Sequence, residues 1–275
     1  MGKQSPFEAW LASVQEEQEC VLATILPINQ PFADNEPCRL FISQEYKCIG
    51  DLQDEELNLR VSELARRKLT ESNPKSETRV FTMPEGKEIH VFIDVYIPPV
   101  ELLIFGAGHD AIPVAKYAVS LGFNTSVIDQ RDAYNNEERF PGTNQILAKP
   151  DEFVEKVKIS SRTYIVVMNH HIEKDQETLK FVLPSPAAYV GVLGPRSRRM
   201  RMLQALEDEG VTFAPEMLKR MHSPIGLDIG AVTPEEIAMS ILAEMIALKN
   251  GHTGGFLKGS DTIHQPAGVK EKEHV

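Results

Sequence analysis

Apolar and polar positions follow two different rhythms along this chain, and the change comes at Pro98-Pro99. Before it, the pattern alternates. Ile89, Val91, Ile93, Val95 and Ile97 occupy every second position, which predicts a strand with one buried face. Glu77 to Met83 and Lys87 to Ile97 read as the arms of a hairpin around Pro84-Glu85-Gly86. Cys20 to Leu26 and Leu40 to Ser43 read as further strands, separated by a polar, proline-bearing loop from Pro27 to Arg39. Two helices accompany them. Ser5 is an N-cap, Pro6 suits the first helical position and Glu8 closes a capping box, with Phe7, Trp10, Leu11 and Val14 on the apolar face. A second helix runs from about Asp54 to Leu69, with Leu57, Val61, Leu64 and Ala65 as its stripe and a Glu/Arg-rich solvated surface.

After Pro99 the strands become apolar runs, each followed by a helical pattern. Leu102 to Phe105, Thr125 to Asp129, Gln145 to Ala148, Tyr164 to Met168 and Ala188 to Leu193 read as strands. Helices are predicted near Asp151 to Lys158 and Asp175 to Leu183. A third spans Arg196 to Glu209, with Met200, Leu203 and Leu206 as its apolar side. Thr233-Pro234-Glu235-Glu236 is a second capping box, opening a helix that Asn250-Gly251 ends. The alternation predicts an α/β fold: a C-terminal Rossmann-like, doubly wound parallel sheet with a smaller N-terminal α+β domain. The expected divisions are residues 1–98, 99–253 and a flexible polar tail, 254–275.

Composition narrows the classes. With 275 residues, 42% hydrophobic and 25% charged, the chain suits a soluble two-domain protein. A net charge of −11 excludes nucleic acid as a general partner, because a phosphate backbone needs a basic surface. No apolar run approaches a membrane span, and the N-terminus lacks the apolar core of a signal peptide, so a cytoplasmic protein is expected. Cys20, Cys38 and Cys48 have no metal-ligand spacing; reduced thiols and no bound metal are expected.

The chemistry concentrates where the first run after Pro99 meets Gly106-Ala107-Gly108-His109-Asp110-Ala111. This is a strand feeding a Gly-x-Gly-x-x-Ala turn and a helix. Gly106 permits the tight turn, Gly108 lets a phosphate approach the backbone, and Ala111 keeps the helix close to the sheet. The helix would aim its free N–H groups at the ligand. Asp129 follows about 20 residues later, where a ribose-binding carboxylate is expected.

Several segments together resemble the XdhC/CoxI family of accessory factors for molybdenum-cofactor enzymes. They are Pro98-Pro99 with the glycine turn, Ile128-Asp129-Gln130-Arg131, Phe140-Pro141, and Val166 to His171 with Asp175. Ala187 to Arg199 and His222 to Ala231 also match, the last continuing into Thr233 to Ala238. The resemblance covers the C-terminal two-thirds. It implies an accessory factor that binds molybdenum cofactor, as a pterin phosphate or its nucleotide form. It also implies that this factor assists insertion of the cofactor into a xanthine dehydrogenase-type molybdoenzyme. A cysteine desulfurase or a second accessory subunit is an implied further partner, and a homodimer the implied assembly. The N-terminal third departs from the family: its loop reads Asn29 to Asp34, and Gln53 stands at the position of the family's cysteine.

Candidate cofactor-binding residues are Gly106, Gly108, His109, Asp129, Arg131, Asn169, His170, Gly194, Arg196, Arg199 and Asp228; none is assigned as catalytic. Asp129 either accepts a ribose diol or is a structural acid, and Arg131 offsets its bias against a 2′-phosphate. His109 either flanks the phosphate or touches a neighbouring loop. Asn169, His170 and His171 end a central strand; adjacent histidines face opposite ways, so one lines the cleft or is satisfied by backbone. Arg196, Arg198 and Arg199, after Gly194-Pro195, either hold an anion or form a solvated helix start. Ser223 to Ala231 reads as an ordered loop over the cleft, in which Asp228 binds ligand or ties down backbone N–H groups. Two further functions fit the same sequence. One is an NAD(P)-binding oxidoreductase, although no Tyr-x-x-x-Lys pair is present. The other is a non-catalytic nucleotide-sensing or scaffold protein.

Overall fold

The computed structural model describes residues 4–28, 37–71, 74–84 and 86–259. The loop Asn29 to Asp34, Glu85 of the hairpin turn and the tail from residue 260 lie outside them. The chain divides into two compact units between Pro98 and Pro99.

The N-terminal unit is an antiparallel sheet of β1 (Cys20–Ile25), β2 (Arg39–Ser43), β3 (Cys48–Gly50), β4 (Glu77–Thr82) and β5 (Glu88–Tyr96), in the order β3-β2-β1-β5-β4. The alternation of β1 feeds both faces. Val21 and Ala23 join Ile42, Val91 and Ile93 in a core with Leu57, Val61, Leu64 and Ala65 of α2 (Glu55–Thr70). Cys20 and Leu22 join Phe41 and Ala9 of α1 (Pro6–Gln15). The Ser5 capping box forms as the sequence predicts. The buried face of α1 differs, however. Ala9 and Ser13 face inward, while Phe7 and Leu11 are exposed. Small residues let the helix lie close to the sheet, and Phe7 stacks on Trp10 at 5.9 Å beneath the Arg39 guanidinium.

The C-terminal unit is built on β6 (Glu101–Phe105), β7 (Asn124–Ile128), β8 (Asn144–Ile146), β9 (Thr163–Val167), β10 (Tyr189–Val192) and β11 (Met221–His222). All pairs are parallel, in the order β11-β10-β9-β6-β7-β8, so the winding reverses between β6 and β9. This is the doubly wound Rossmann order. Leu102, Ile104, Val127 and Val166 pack toward α3 (Ala111–Ser120) and α8 (Pro234–Lys249). Leu103, Phe105, Ile165, Val167 and Val190 pack on the other face, toward α4 (Phe153–Lys156), α5 (Ile172–Val182) and α6 (Arg196–Asp208). Both faces of the central strands are covered, which is why they read as unbroken apolar runs. Each fully buried Ile or Val contributes about 1.5–3 kcal/mol over an exposed one.

Two further sequence expectations are revised, and two short elements are new. The helix expected near Asp151 to Lys158 is a 3₁₀ turn, Pro150–Glu152, followed by the single turn of α4. On α6 the buried residues are Met202 and Leu206, while Met200 is 58% exposed, so the inner stripe is rotated from the one predicted. α7 (Pro215–Lys219) and β11 are too short for periodicity to announce. Among the described residues, no helix is long and apolar enough to cross a membrane.

Candidate functional site

The reversal between β6 and β9 opens a crevice at the carboxyl ends of the strands, where open α/β sheets bind ligands. The glycine turn forms one wall. Gly106 has φ +113°, and a Cβ there would stand 2.8 Å from the Met168 carbonyl oxygen, so only glycine lets the turn pass the end of β9. Ala107 and Ala111, the first residue of α3, are fully buried in the core between the sheet and that helix. Asp110, at the N-cap of α3, makes no side-chain cap. The N–H groups of Gly108, His109, Asp110 and Ala111 find no acceptor among the described residues. They form a cluster of donors at the positive end of a helix, the arrangement that receives an anion. His109 itself is exposed.

The second wall is the end of β9. His170 lays its imidazole over Gly108, and a Cβ on Gly108 would run into Nε2 and Cδ2. Of the adjacent histidines, His170 therefore faces the turn. His171 is the exposed N-cap of α5 and makes no capping hydrogen bond. Asn169 contributes its backbone, since its side-chain amide is turned to Thr178 Oγ1 at 3.3 Å.

The third wall comes from β10 and α6. A cavity of about 160 Å³ is lined by Met168, Asn169, His170, Asp175, Leu193, Gly194, Pro195 and Arg198. The cation in this wall is Arg198. Its Nη2 donates to Asp175 Oδ2 at 2.7 Å, and its Nε is buried without a partner. Gly194, φ +119°, lies under the Arg198 stem, where a Cβ would stand 2.7 Å from Cδ. Asp175 is 1% exposed and also accepts the Asn169 N–H at 3.1 Å. Burial pushes its carboxyl up, and the hydrogen bonds from Arg198 and Asn169 only partly offset the rise. Arg196 is exposed, and Arg199 is half-buried with an unpartnered Nε; neither lines this cavity.

Asp129, at the end of β7, is 7% exposed. Its Oδ1 accepts the backbone N–H of Arg131 at 3.0 Å and the Nε of Arg131 at 2.9 Å. Its Oδ2 accepts Nη2 of Arg131 at 2.6 Å and the Ala107 N–H at 2.9 Å. Burial alone would raise this carboxyl, but the Arg131 and Ala107 hydrogen bonds outweigh it and hold the group below the usual carboxylate range. Asp129 is thus a brace between β7 and the glycine turn. Sequence spacing gave no sign of the neighbouring Arg139, which donates to the Ala107 carbonyl at 3.3 Å. Both Arg131 and Arg139 lie over the Tyr134 ring.

Asp228 is exposed and makes no hydrogen bond or ion pair among the described residues. The loop around it is tied to α8 instead. Glu244 Oε2 accepts the Gly226 N–H at 2.9 Å, and Ser240 Oγ donates to the Leu227 carbonyl at 2.6 Å. Glu244 also accepts the Tyr189 hydroxyl at 2.5 Å and meets His222 Nδ1 at 3.0 Å. This network joins β10, β11, the loop and α8, and nothing in the local sequence pattern announces it.

In the N-terminal unit, Gln53 is exposed at φ +63° in the turn before the Asp54 cap of α2. Cys48 is exposed on the edge strand β3, where a place in a strand would suggest a buried thiol. Cys20 is fully buried, and burial pushes its thiol up to about 11. Among the described residues, no group of three or more His, Cys, Asp or Glu side chains is placed to hold a metal ion.

Comparison with known proteins bears on the whole C-terminal unit. The family model of the XdhC Rossmann domain matches residues 102–245, just over half of the chain. An Escherichia coli protein described as uncharacterized, YqeB, is 34% identical over 175 residues, 62% of this chain and 31% of its own length. A Bacillus subtilis protein, named as a probable subunit of xanthine dehydrogenase, is 34% identical over 158 residues, 57% of this chain and 45% of its own. The Escherichia coli molybdenum cofactor insertion chaperone PaoD is 22% identical over 60% of this chain and 45% of its own. The chain thus matches less than half the length of each of these relatives. A crystal structure described as a xanthine dehydrogenase from Bacillus halodurans shares the fold. It has a TM-score of 0.52 and 21% identity, over 90% of this chain and 97% of that one. With its Rossmann strand order, its glycine turn and the matched span from Leu102 to Met245, this chain belongs to the XdhC family.

Proposed function

We propose that this protein is an accessory factor that holds molybdenum cofactor as cargo and assists its insertion into a xanthine dehydrogenase-type molybdoenzyme. The observation that carries the reading is the crevice at the β6/β9 reversal. Four N–H groups without acceptors lie at its glycine turn and the start of α3, and the His170 imidazole lies over Gly108. Those donors fit the phosphate of a pterin phosphate. The cavity beyond, with Arg198 held by Asp175, fits the polar edge of a ring system. Family membership and the names of two relatives support the same cargo and the same class of client.

In this reading Gly106, Gly108, His109, His170 and the Asn169 backbone hold the phosphate end, and Gly194 with Arg198 borders the far end. Residues 1–98 form a separate domain ahead of the Rossmann domain. The protein acts by holding the cofactor, and a thiol for any sulfur transfer is supplied by a second accessory subunit or a cysteine desulfurase.

The test is mass spectrometry of small molecules copurifying with the protein from anaerobically grown cells that make molybdenum cofactor. A pterin phosphate in near-stoichiometric amount supports the reading. A nicotinamide dinucleotide in its place, with no pterin, overturns it in favour of the oxidoreductase alternative.

A further inference from the structure

The ribose end of the crevice carries an unexpected arrangement. In dinucleotide-binding Rossmann sites the acid after the second strand accepts hydrogen bonds from the adenosine ribose. A carboxylate offers about four acceptor positions on its two oxygens. In Asp129 all four are taken: by the backbone N–H, Nε and Nη2 of Arg131, and by the N–H of Ala107. The Asp129 side chain is only 4% exposed, while that of Arg131 is 38% exposed, so the guanidinium is the cover over the carboxylate. Tyr134 supports that cover from below, its ring 4.3 Å from the Arg131 guanidinium carbon.

We infer that Arg131 sets which ligands the crevice admits, by occupying the carboxylate that would otherwise read an adenosine ribose diol. The inference rests on the ligand crevice of the proposed function and deepens it. The glycine turn still receives a phosphate, but the ribose-reading position is filled from within the chain. A dinucleotide with an unmodified adenosine ribose would have to break a bidentate, charge-assisted pair to reach Asp129. A phosphate ligand whose ring system lies toward the β10 side meets no such barrier. The site therefore selects a phosphorylated ring compound over NAD.

Arg131 acts here through Asp129, so the test is a gain of binding, which a merely structural role would not give. NAD is titrated calorimetrically into the wild type, Arg131→Ala and Arg131→Met, each checked for folding by circular dichroism. Methionine keeps much of the stem volume without a donor. Both variants should bind NAD at least about tenfold more tightly than the wild type, a difference that calorimetry resolves readily. The gain should vanish when Asp129→Asn is added to Arg131→Met. Equal NAD affinity in wild type and both variants overturns the inference, whether that affinity is high or unmeasurable. So does a gain that survives Asp129→Asn. If only one single variant folds, its comparison with the wild type decides the matter. A parallel titration of the wild type with molybdenum cofactor reports on the proposed function alone, because that outcome does not depend on how NAD responds to Arg131.

Discussion

His170, at the end of β9, lays its imidazole over Gly108 in the turn after β6. The two residues are far apart in sequence and meet only because β6 and β9 are neighbours at the reversal of the sheet. A Cβ on Gly108 would meet the ring edge of a surface side chain rather than backbone. Gly108→Ala should therefore cost little stability, within about 1 kcal/mol, because the imidazole can swing away. It should also shift the His170 ring resonances. Nuclear magnetic resonance of labelled histidines checks this. Unmoved His170 signals in a folded Gly108→Ala protein would contradict the placement.

Arg198, rather than Arg196, is the cation built into the crevice. Arg198→Ala leaves Asp175 buried without its charged partner. We expect a loss of about 2–3 kcal/mol in urea unfolding. Arg196→Ala, at an exposed position, should stay within about 0.5 kcal/mol of the wild type. Similar losses in the two variants would show that the Asp175–Arg198 pair is not the structural one.

The acid side of the stability profile should be steep. Asp129 and Glu244 both titrate below the usual carboxylate range. Burial opposes this in each, but is outweighed by Arg131 and Ala107 for Asp129 and by His222, Tyr189 and Gly226 for Glu244. A carboxylate whose folded pKa is lowered adds stability above its unfolded pKa of about 4 and loses it as pH falls through the folded value. Asp175 works the other way, since its raised pKa makes protonation favourable to the fold. The melting temperature should hold near neutrality and fall below about pH 4, and Glu244→Gln should flatten that fall. An acid limb of unchanged slope in Glu244→Gln would remove Glu244 from the account.

The three cysteines should separate by reactivity. Cys48 is exposed, Cys38 half-buried, and Cys20 fully buried with its thiol raised to about 11. A thiol reagent at pH 8 should label Cys48 first and leave Cys20 unmodified until the protein unfolds. Exposure also makes Cys48 the thiol to watch in sulfur transfer. Labelled sulfur from a cysteine desulfurase should not accumulate on it if, as the resemblance in sequence implies, Gln53 stands at the position of the family's cysteine. Stoichiometric label on Cys48, lost with function in Cys48→Ser, would show that the thiol had moved rather than vanished.

The Rossmann half was readable because strands buried on both faces appear as apolar runs, and the glycine turn sits between two of them. Asp129 was readable as a residue but not as a brace. Spacing marks the end of β7, but the pairing with Arg131 depends on a side-chain turn that no period encodes. The inner faces of α1 and α6 were misread for a related reason. On α1, Ala9 and Ser13 face inward while the larger Phe7 and Leu11 stay outside, and on α6 Met202 is the buried methionine in place of Met200. Close approach to a sheet favours small or flexible side chains over the most hydrophobic ones. The Glu244 network was invisible because its members come from β10, β11, a loop and α8.

The phosphate of molybdenum cofactor, in the function proposed here, rests on the glycine turn, and a direct titration decides whether it does. Cofactor released anaerobically from a purified molybdoenzyme is titrated into the wild type and Gly108→Val, with circular dichroism confirming that both are folded. Binding should be saturable near one cofactor per chain in the wild type and weakened at least about tenfold in Gly108→Val, whose branched side chain would displace the His170 imidazole from its place over the turn. Equal affinity in the two folded proteins, or no binding by the wild type, would contradict it.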